Sequence, residues 1–245
     1  MTGRTGPLQM AALVLVVGSA LLACKKKRAL PPPIAAPARS ATATAAGAQG
    51  FTGSFTISEG KNPDGSPYSG TATISSHGDY DTLSWTISGA GGGNYVGVGI
   101  ETGGVLAVGY GESKPGVVVY KVNGGSLTGK WAMSGASGLG TENLSGPAGV
   151  KGTYSITSSS SPQSGHAYHG KVAIKVRGAV RDVRWTLTSG ESYSGVGILD
   201  GDLFIVGWGR GTGAVVYRDA AGKGLHGRFA LPGVEGIGSE TLARH

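Results

Sequence analysis

The chain has 245 residues, of which 47 are Gly and 39% are hydrophobic, and this much glycine argues against a helical protein because Gly is poor in helix interiors. The formal charge of +7 points at first to nucleic acid or an anionic membrane. From Phe51 onward, however, there are 15 Lys and Arg against 14 Asp and Glu, so the folded part is not expected to bind nucleic acid, and an all-β chain rich in turns is expected instead.

Residues 1–23 read as a signal peptide. Arg4 supplies a basic start, and Leu8 to Leu22 form an apolar run broken by Gln9, Gly18 and Ser19, short of the roughly 20 residues that a membrane span needs. Leu21-Leu22-Ala23-Cys24 resembles the bacterial lipobox, in which a cysteine is acylated before cleavage ahead of it. Cys24 is the single cysteine of the chain and is expected to carry lipid, typically palmitate, that holds the protein to a membrane. An uncleaved anchor with a free thiol is the competing reading, because Lys25, Lys26, Lys27 and Arg28 directly follow the run and basic residues there tend to stay cytoplasmic. Residues 24–50 contain Pro31-Pro32-Pro33 and Pro37 and have no apolar periodicity, as expected of an unstructured tether. Lys25 stands where many inner-membrane lipoproteins carry Asp, so placement in the outer membrane is favoured.

The rest of the chain is written twice. Gly53-Ser-Phe-Thr-Ile answers Gly152-Thr-Tyr-Ser-Ile, Tyr68-Ser-Gly answers Tyr168-His-Gly, and Trp85-Thr-Ile answers Trp185-Thr-Leu. Tyr95-Val-Gly-Val-Gly-Ile then pairs with Tyr193-Ser-Gly-Val-Gly-Ile, Val108-Gly-Tyr-Gly with Val206-Gly-Trp-Gly, and Val118-Val-Tyr with Val215-Val-Tyr. Leu127-Thr-Gly-Lys-Trp pairs with Leu225-His-Gly-Arg-Phe, and Gly138-Leu-Gly-Thr-Glu with Gly236-Ile-Gly-Ser-Glu. Copies this long are domains rather than solenoid units, and the expected division is one domain over 51–148 and a second over 149–245. Within each copy apolar and polar residues alternate, as in Leu83, Trp85 and Ile87 against Thr82, Ser84 and Thr86, which predicts half-buried strands. Eight strands are predicted in the first copy, over 52–58, 67–75, 79–88, 94–100, 104–110, 116–122, 126–133 and 139–145, with counterparts in the second. Short turns such as Asn123-Gly124-Gly125 and Asp200-Gly201 require antiparallel neighbours. The expected fold is two tandem antiparallel eight-stranded up-and-down barrels of lipocalin or avidin size, which leaves no sheet edge exposed; an open sandwich is the rival architecture. Gly70, Gly129, Gly170 and Gly227 suit a tight lumen. The copies differ in charge, net −3 over 51–148 and net +4 over 149–245, through either mutual docking or drift.

No catalytic constellation repeats, and neither a cofactor nor a metal is expected. His77, His166, His169, His226 and His245 have no histidine counterparts across the copies. Although His166 and His169 have a spacing that suits a metal, no recurring carboxylate or Cys accompanies them. Glu142 and Glu240 are the acids that recur in place, each either a ligand contact at a barrel mouth or a carboxylate that fastens the last strand through backbone N–H groups or an Arg. Trp85, Trp185, Tyr120 and Tyr217 also recur, and either line a pocket or pack the core.

These motifs, running from Gly-x-Tyr through Gly-Val-Gly-Ile and Val-Val-Tyr to Gly-Thr-Glu-x-Leu, resemble a tandem-repeat β-domain family of exported bacterial proteins, some of them described as fibronectin-binding. Phe229 and Ser239 depart from the pattern in the second copy. The anchor, the tether and the repeat together lead to the expectation of a non-enzymatic membrane lipoprotein displaying two β-domains to an extracellular or envelope macromolecule. The alternative is a lipocalin-like carrier of a small apolar ligand in the lumen.

Overall fold

The computed structural model describes residues 50–245, so the expected signal peptide, Cys24 and nearly all of the linker lie outside the described residues. Sixteen strands follow in order. The first repeat supplies β1 (Gly53–Lys61), β2 (Pro67–Ser76), β3 (Asp81–Gly89), β4 (Gly93–Thr102), β5 (Val105–Gly111), β6 (Gly116–Asn123), β7 (Ser126–Met133) and β8 (Gly140–Ser145). The second supplies β9 (Gly152–Ser160), β10 (Gly170–Arg177), β11 (Val180–Leu187), β12 (Ser192–Asp200), β13 (Leu203–Trp208), β14 (Gly213–Asp219), β15 (Gly224–Ala230) and β16 (Gly238–Arg244). They close into two all-antiparallel barrels of eight strands, the predicted architecture.

The expected boundary at 148/149 does not divide the barrels. The first barrel runs β1 through β5, then β14 through β16, and closes β16 onto β1, while the second runs β6 through β13 and closes β13 onto β6. Each repeat therefore lends its last three strands to the barrel that the other begins. The physical cause lies where β5 gives way to β6 and β13 to β14. A Cβ on Gly109 would collide with the Gly116 carbonyl, and one on Gly207 with the Gly213 carbonyl, so these strands cross backbone against backbone instead of pairing. In place of its neighbour in sequence, β5 pairs with β14 from Gly213↔Tyr110 to Arg218↔Val105. The counterpart is β13 on β6, from Trp208↔Gly116 to Leu203↔Lys121. The repeated Val-Gly-[Tyr/Trp]-Gly thus marks an exchange of strands, which a reading of the repeat as a self-contained unit cannot foresee.

Three apolar cores result. Phe55, Ile57, Leu83, Leu106, Leu225 and Leu242 fill the first lumen, and Leu127, Leu144, Ile156, Val172, Ile174 and Phe204 fill the second. The third lies between the barrels, where Val98, Ile100, Val105 and Val216 of the first meet Val117, Val119, Ile198 and Ile205 of the second. Strands β4, β5, β6, β12, β13 and β14 are thus covered on both faces and lose the alternation, since a strand buried on two sides reads as a continuous apolar run. Each large side chain sealed in this seam contributes about 1.5–3 kcal/mol relative to exposure. At its edge Arg218 in β14 donates to Asp200 in β12 at 2.5 Å, with Arg228 3.7 Å from the same carboxylate. The exchange also sharpens the charge contrast. The first barrel (51–112 and 213–245) has 5 Lys and Arg against 9 Asp and Glu, net −4, and the second (113–212) has 10 against 5, net +5.

Candidate functional site

The sequence places Glu142 and Glu240 just before an inward-facing leucine on the last strand of each repeat, and the structure brings both carboxylates into a lumen. Glu142 is 3% exposed and Glu240 7%. Room for them comes partly from Gly129 and Gly227 on the neighbouring strands: a Cβ at either would press into the ring of Tyr120 or Tyr217, at 2.5 and 2.6 Å. The donors are neither backbone N–H groups nor an arginine but phenols and indoles. In the first barrel Tyr217 donates to Oε1 of Glu240, Tyr68 donates to Oε2 at 3.0 Å, and Trp85 Nε1 donates to the Tyr217 hydroxyl at 3.2 Å. In the second barrel Tyr120 donates to Oε1 of Glu142, and Trp185 Nε1 donates to the same oxygen directly, at 3.0 Å. All six predicted candidates thus meet in two equivalent clusters. Each cluster is completed across the repeats, Glu240 and Tyr217 meeting Trp85 and Tyr68, and Glu142 and Tyr120 meeting Trp185.

Burial pushes both carboxyl groups above the ordinary Glu value, an effect opposed by the hydrogen bonds from Tyr217 and Tyr68 on Glu240 and from Tyr120, Trp185 and Tyr168 on Glu142. Neither carboxylate has a salt-bridge partner among the described residues. Tyr120 and Tyr217 are driven far above the ordinary phenol range, first by burial and then by the adjacent carboxylate, so both remain protonated donors.

Above each carboxylate the barrel mouth opens into a cup walled by aromatic rings. The first has a volume of about 160 Å³ and is lined by Tyr68, Trp85, Tyr95, Tyr110, Phe229 and Glu240, among others. Its rings meet edge to face, Tyr110 lying 6.4 Å from Phe229 and 6.3 Å from Tyr95, an arrangement that aromatic quadrupoles favour. The second has a volume of about 310 Å³ and is lined by Trp131, Glu142, Tyr168, Trp185, Tyr193 and Trp208, with Glu191 at its rim. There Trp208 stands 5.8 Å from Trp131 and 5.7 Å from Tyr193. All four tryptophans of the chain lie in the cups. Tyr68, Tyr95, Tyr110, Phe229 and their counterparts Tyr168, Tyr193, Trp208 and Trp131 belong to the repeated motifs but not to the six predicted candidates. The signal that finds them is that an aromatic ring stands at each position in both copies even where its type changes.

His166 and His169 are both exposed, and the described residues hold no group of three or more His, Cys, Asp and Glu placed to bind a metal ion. No family model, curated protein or solved structure matches this chain.

Proposed function

We propose that the chain is a non-enzymatic envelope lipoprotein, anchored in the outer membrane by lipid on Cys24, whose two cups each take up a small group presented by a larger extracellular or envelope molecule. The observation that carries this reading is the duplication of the site. Two cups with the same ring positions and the same buried carboxylate are each assembled from both repeats, although the rest of the surface has diverged to opposite net charge. Capture of a group over enclosure of a whole apolar molecule is supported by the first cup, whose roughly 160 Å³ falls below the about 300–1,000 Å³ of pockets that engulf a drug-sized ligand, the second standing at the lower end of that range, and by the buried side chains such as Phe55, Leu242, Leu127 and Phe204 that fill the lumens beneath the cups. A rigid floor of ring donors also suits binding, because the carboxylate is held by Tyr and Trp and not presented to a reacting group.

The test uses tryptophan emission, which reports directly on the cups. Residues 50–245 are titrated with fibronectin and with isolated envelope glycans. A saturable change in emission, lost in the double variant Tyr110→Ala with Trp208→Ala while the circular dichroism of the fold is kept, supports the reading. Absence of saturable binding to any of these molecules, or binding that ignores the double variant, overturns it.

A further inference from the structure

Building on the reading that the cups are the binding elements, we infer that each cup recognises an alkylated ammonium group, a quaternary or fully substituted amine borne by its partner. Four observations converge. Among the described residues no Lys, Arg or His lines either cup, whereas the first contains Glu240 and the second contains Glu142 and Glu191. The walls are built largely of aromatic rings, and a cation over an aromatic face is attracted by the ring quadrupole. The phenol groups already donate to acceptors: Tyr68 and Tyr217 to Glu240, Tyr95 to the Gly91 carbonyl at 2.9 Å and Tyr193 to Glu191 at 3.2 Å, while Tyr120, beneath the second cup, donates to Glu142. A phenol that donates to an acceptor, above all a carboxylate, becomes richer in electrons across its ring, which strengthens its hold on a cation, and it no longer offers a donor to an anion. Finally, the buried carboxylates have no cationic partner among the described residues, so a positive ligand would supply the missing countercharge through space.

The same geometry selects against a primary ammonium. Such a group carries three N–H donors that must find acceptors when it leaves water, and the buried carboxylates already accept from Tyr217 and Tyr68 on Glu240 and from Tyr120 and Trp185 on Oε1 of Glu142. An ammonium clad in methyl groups has no donor to satisfy and buries its apolar shell against the rings.

The experiment compares two probes of one shape on the intact 50–245 chain, choline and its neutral isostere 3,3-dimethylbutan-1-ol, each followed by tryptophan emission. Choline is expected to bind about tenfold more tightly, within the range of cation–π attraction at a desolvated site. The variants Glu142→Gln and Glu240→Gln are expected to lower the affinity for choline more than that for the isostere, so that most of the preference is lost. Equal affinity of the two probes overturns the cationic specificity and leaves the cups as apolar binding sites. No response to either probe overturns the cups as small-group sites altogether. Because the two probes are compared on the unmodified protein, the outcome does not depend on the folding of any variant.

Discussion

The two cups share a floor and differ in their rims. Glu240 with Tyr217 and Trp85 matches Glu142 with Tyr120 and Trp185, while Phe229, Tyr110 and Leu231 of the first cup stand opposite Trp131, Trp208 and Met133 of the second. The rim of the second adds Glu191, which has no acidic counterpart in the first. The floor also differs in one connection: Trp85 reaches its carboxylate through Tyr217, whereas Trp185 donates to it directly. A buried anion tolerates little variation because every lost donor leaves it unsatisfied, whereas rings at a mouth can change size and so set capacity.

The largest effect is expected where the repeats exchange strands. Gly109→Val and Gly207→Val each drive a side chain into a facing backbone carbonyl, and each should destabilise the protein by about 3 kcal/mol or more in a urea titration. Near-equal losses would establish that the two crossings are equivalent, whereas loss at one alone would break the symmetry of the exchange.

The floors differ by a smaller amount. Tyr217→Phe leaves Glu240 with Tyr68 alone, while Tyr120→Phe leaves Glu142 with Trp185 and Tyr168, so Tyr217→Phe should cost about 2–3 kcal/mol and Tyr120→Phe about half of that, given what hydrogen bonds to charged groups contribute. Both carboxyl groups titrate above 4.5, their ordinary value, because burial opposes the charge. Their contribution to stability is therefore full below 4.5 and is lost as pH rises through the folded-state value. Removing a donor raises that value further, so the fall in stability should reach higher pH in Tyr217→Phe than in the unmodified protein.

Much of this was legible in the sequence, and the reasons for the exceptions are physical. Strands such as Asp81–Gly89 alternate because one face meets the lumen and the other water. By contrast Val105-Leu-Ala-Val and Leu203-Phe-Ile-Val are apolar without alternation because their outer faces form the seam between barrels, so their second burial could be read only as continuous hydrophobicity. The repeat identified the six residues of the two floors. It could not reveal that the partners come from opposite repeats, because a hairpin and an exchanged strand with equal connections have the same local sequence, and what separates them is the contact of Gly109 with Gly116, residues seven apart that read as ordinary strand glycines.

A smaller difference separates Asp81 from its counterpart Arg181. Asp81 is 2% exposed with Oδ1 unpartnered, and burial, aided by the Glu101 charge and opposed by Ser76 and His77, raises its carboxyl from 3.8 to about 6. Stability from this site is full below 3.8 and is lost as pH rises through about 6. Asp81→Asn should therefore flatten that part of the pH profile and raise stability at pH 7 by about 1 kcal/mol, or about 2–4 °C in melting temperature. The smallest effect is expected at the rim, where Glu191→Gln should weaken choline binding to the second cup by about threefold, as an exposed charge does, and leave the first unchanged.

The most direct test of paired cups is fluorine NMR of the protein labelled with 5-fluorotryptophan during a choline titration. Trp85 reports on the first cup and Trp131, Trp185 and Trp208 on the second. All four resonances should move, the three of the roomier and more acidic cup at lower choline concentration than the fourth. Resonances that stay fixed while choline binds elsewhere on the protein would contradict the account.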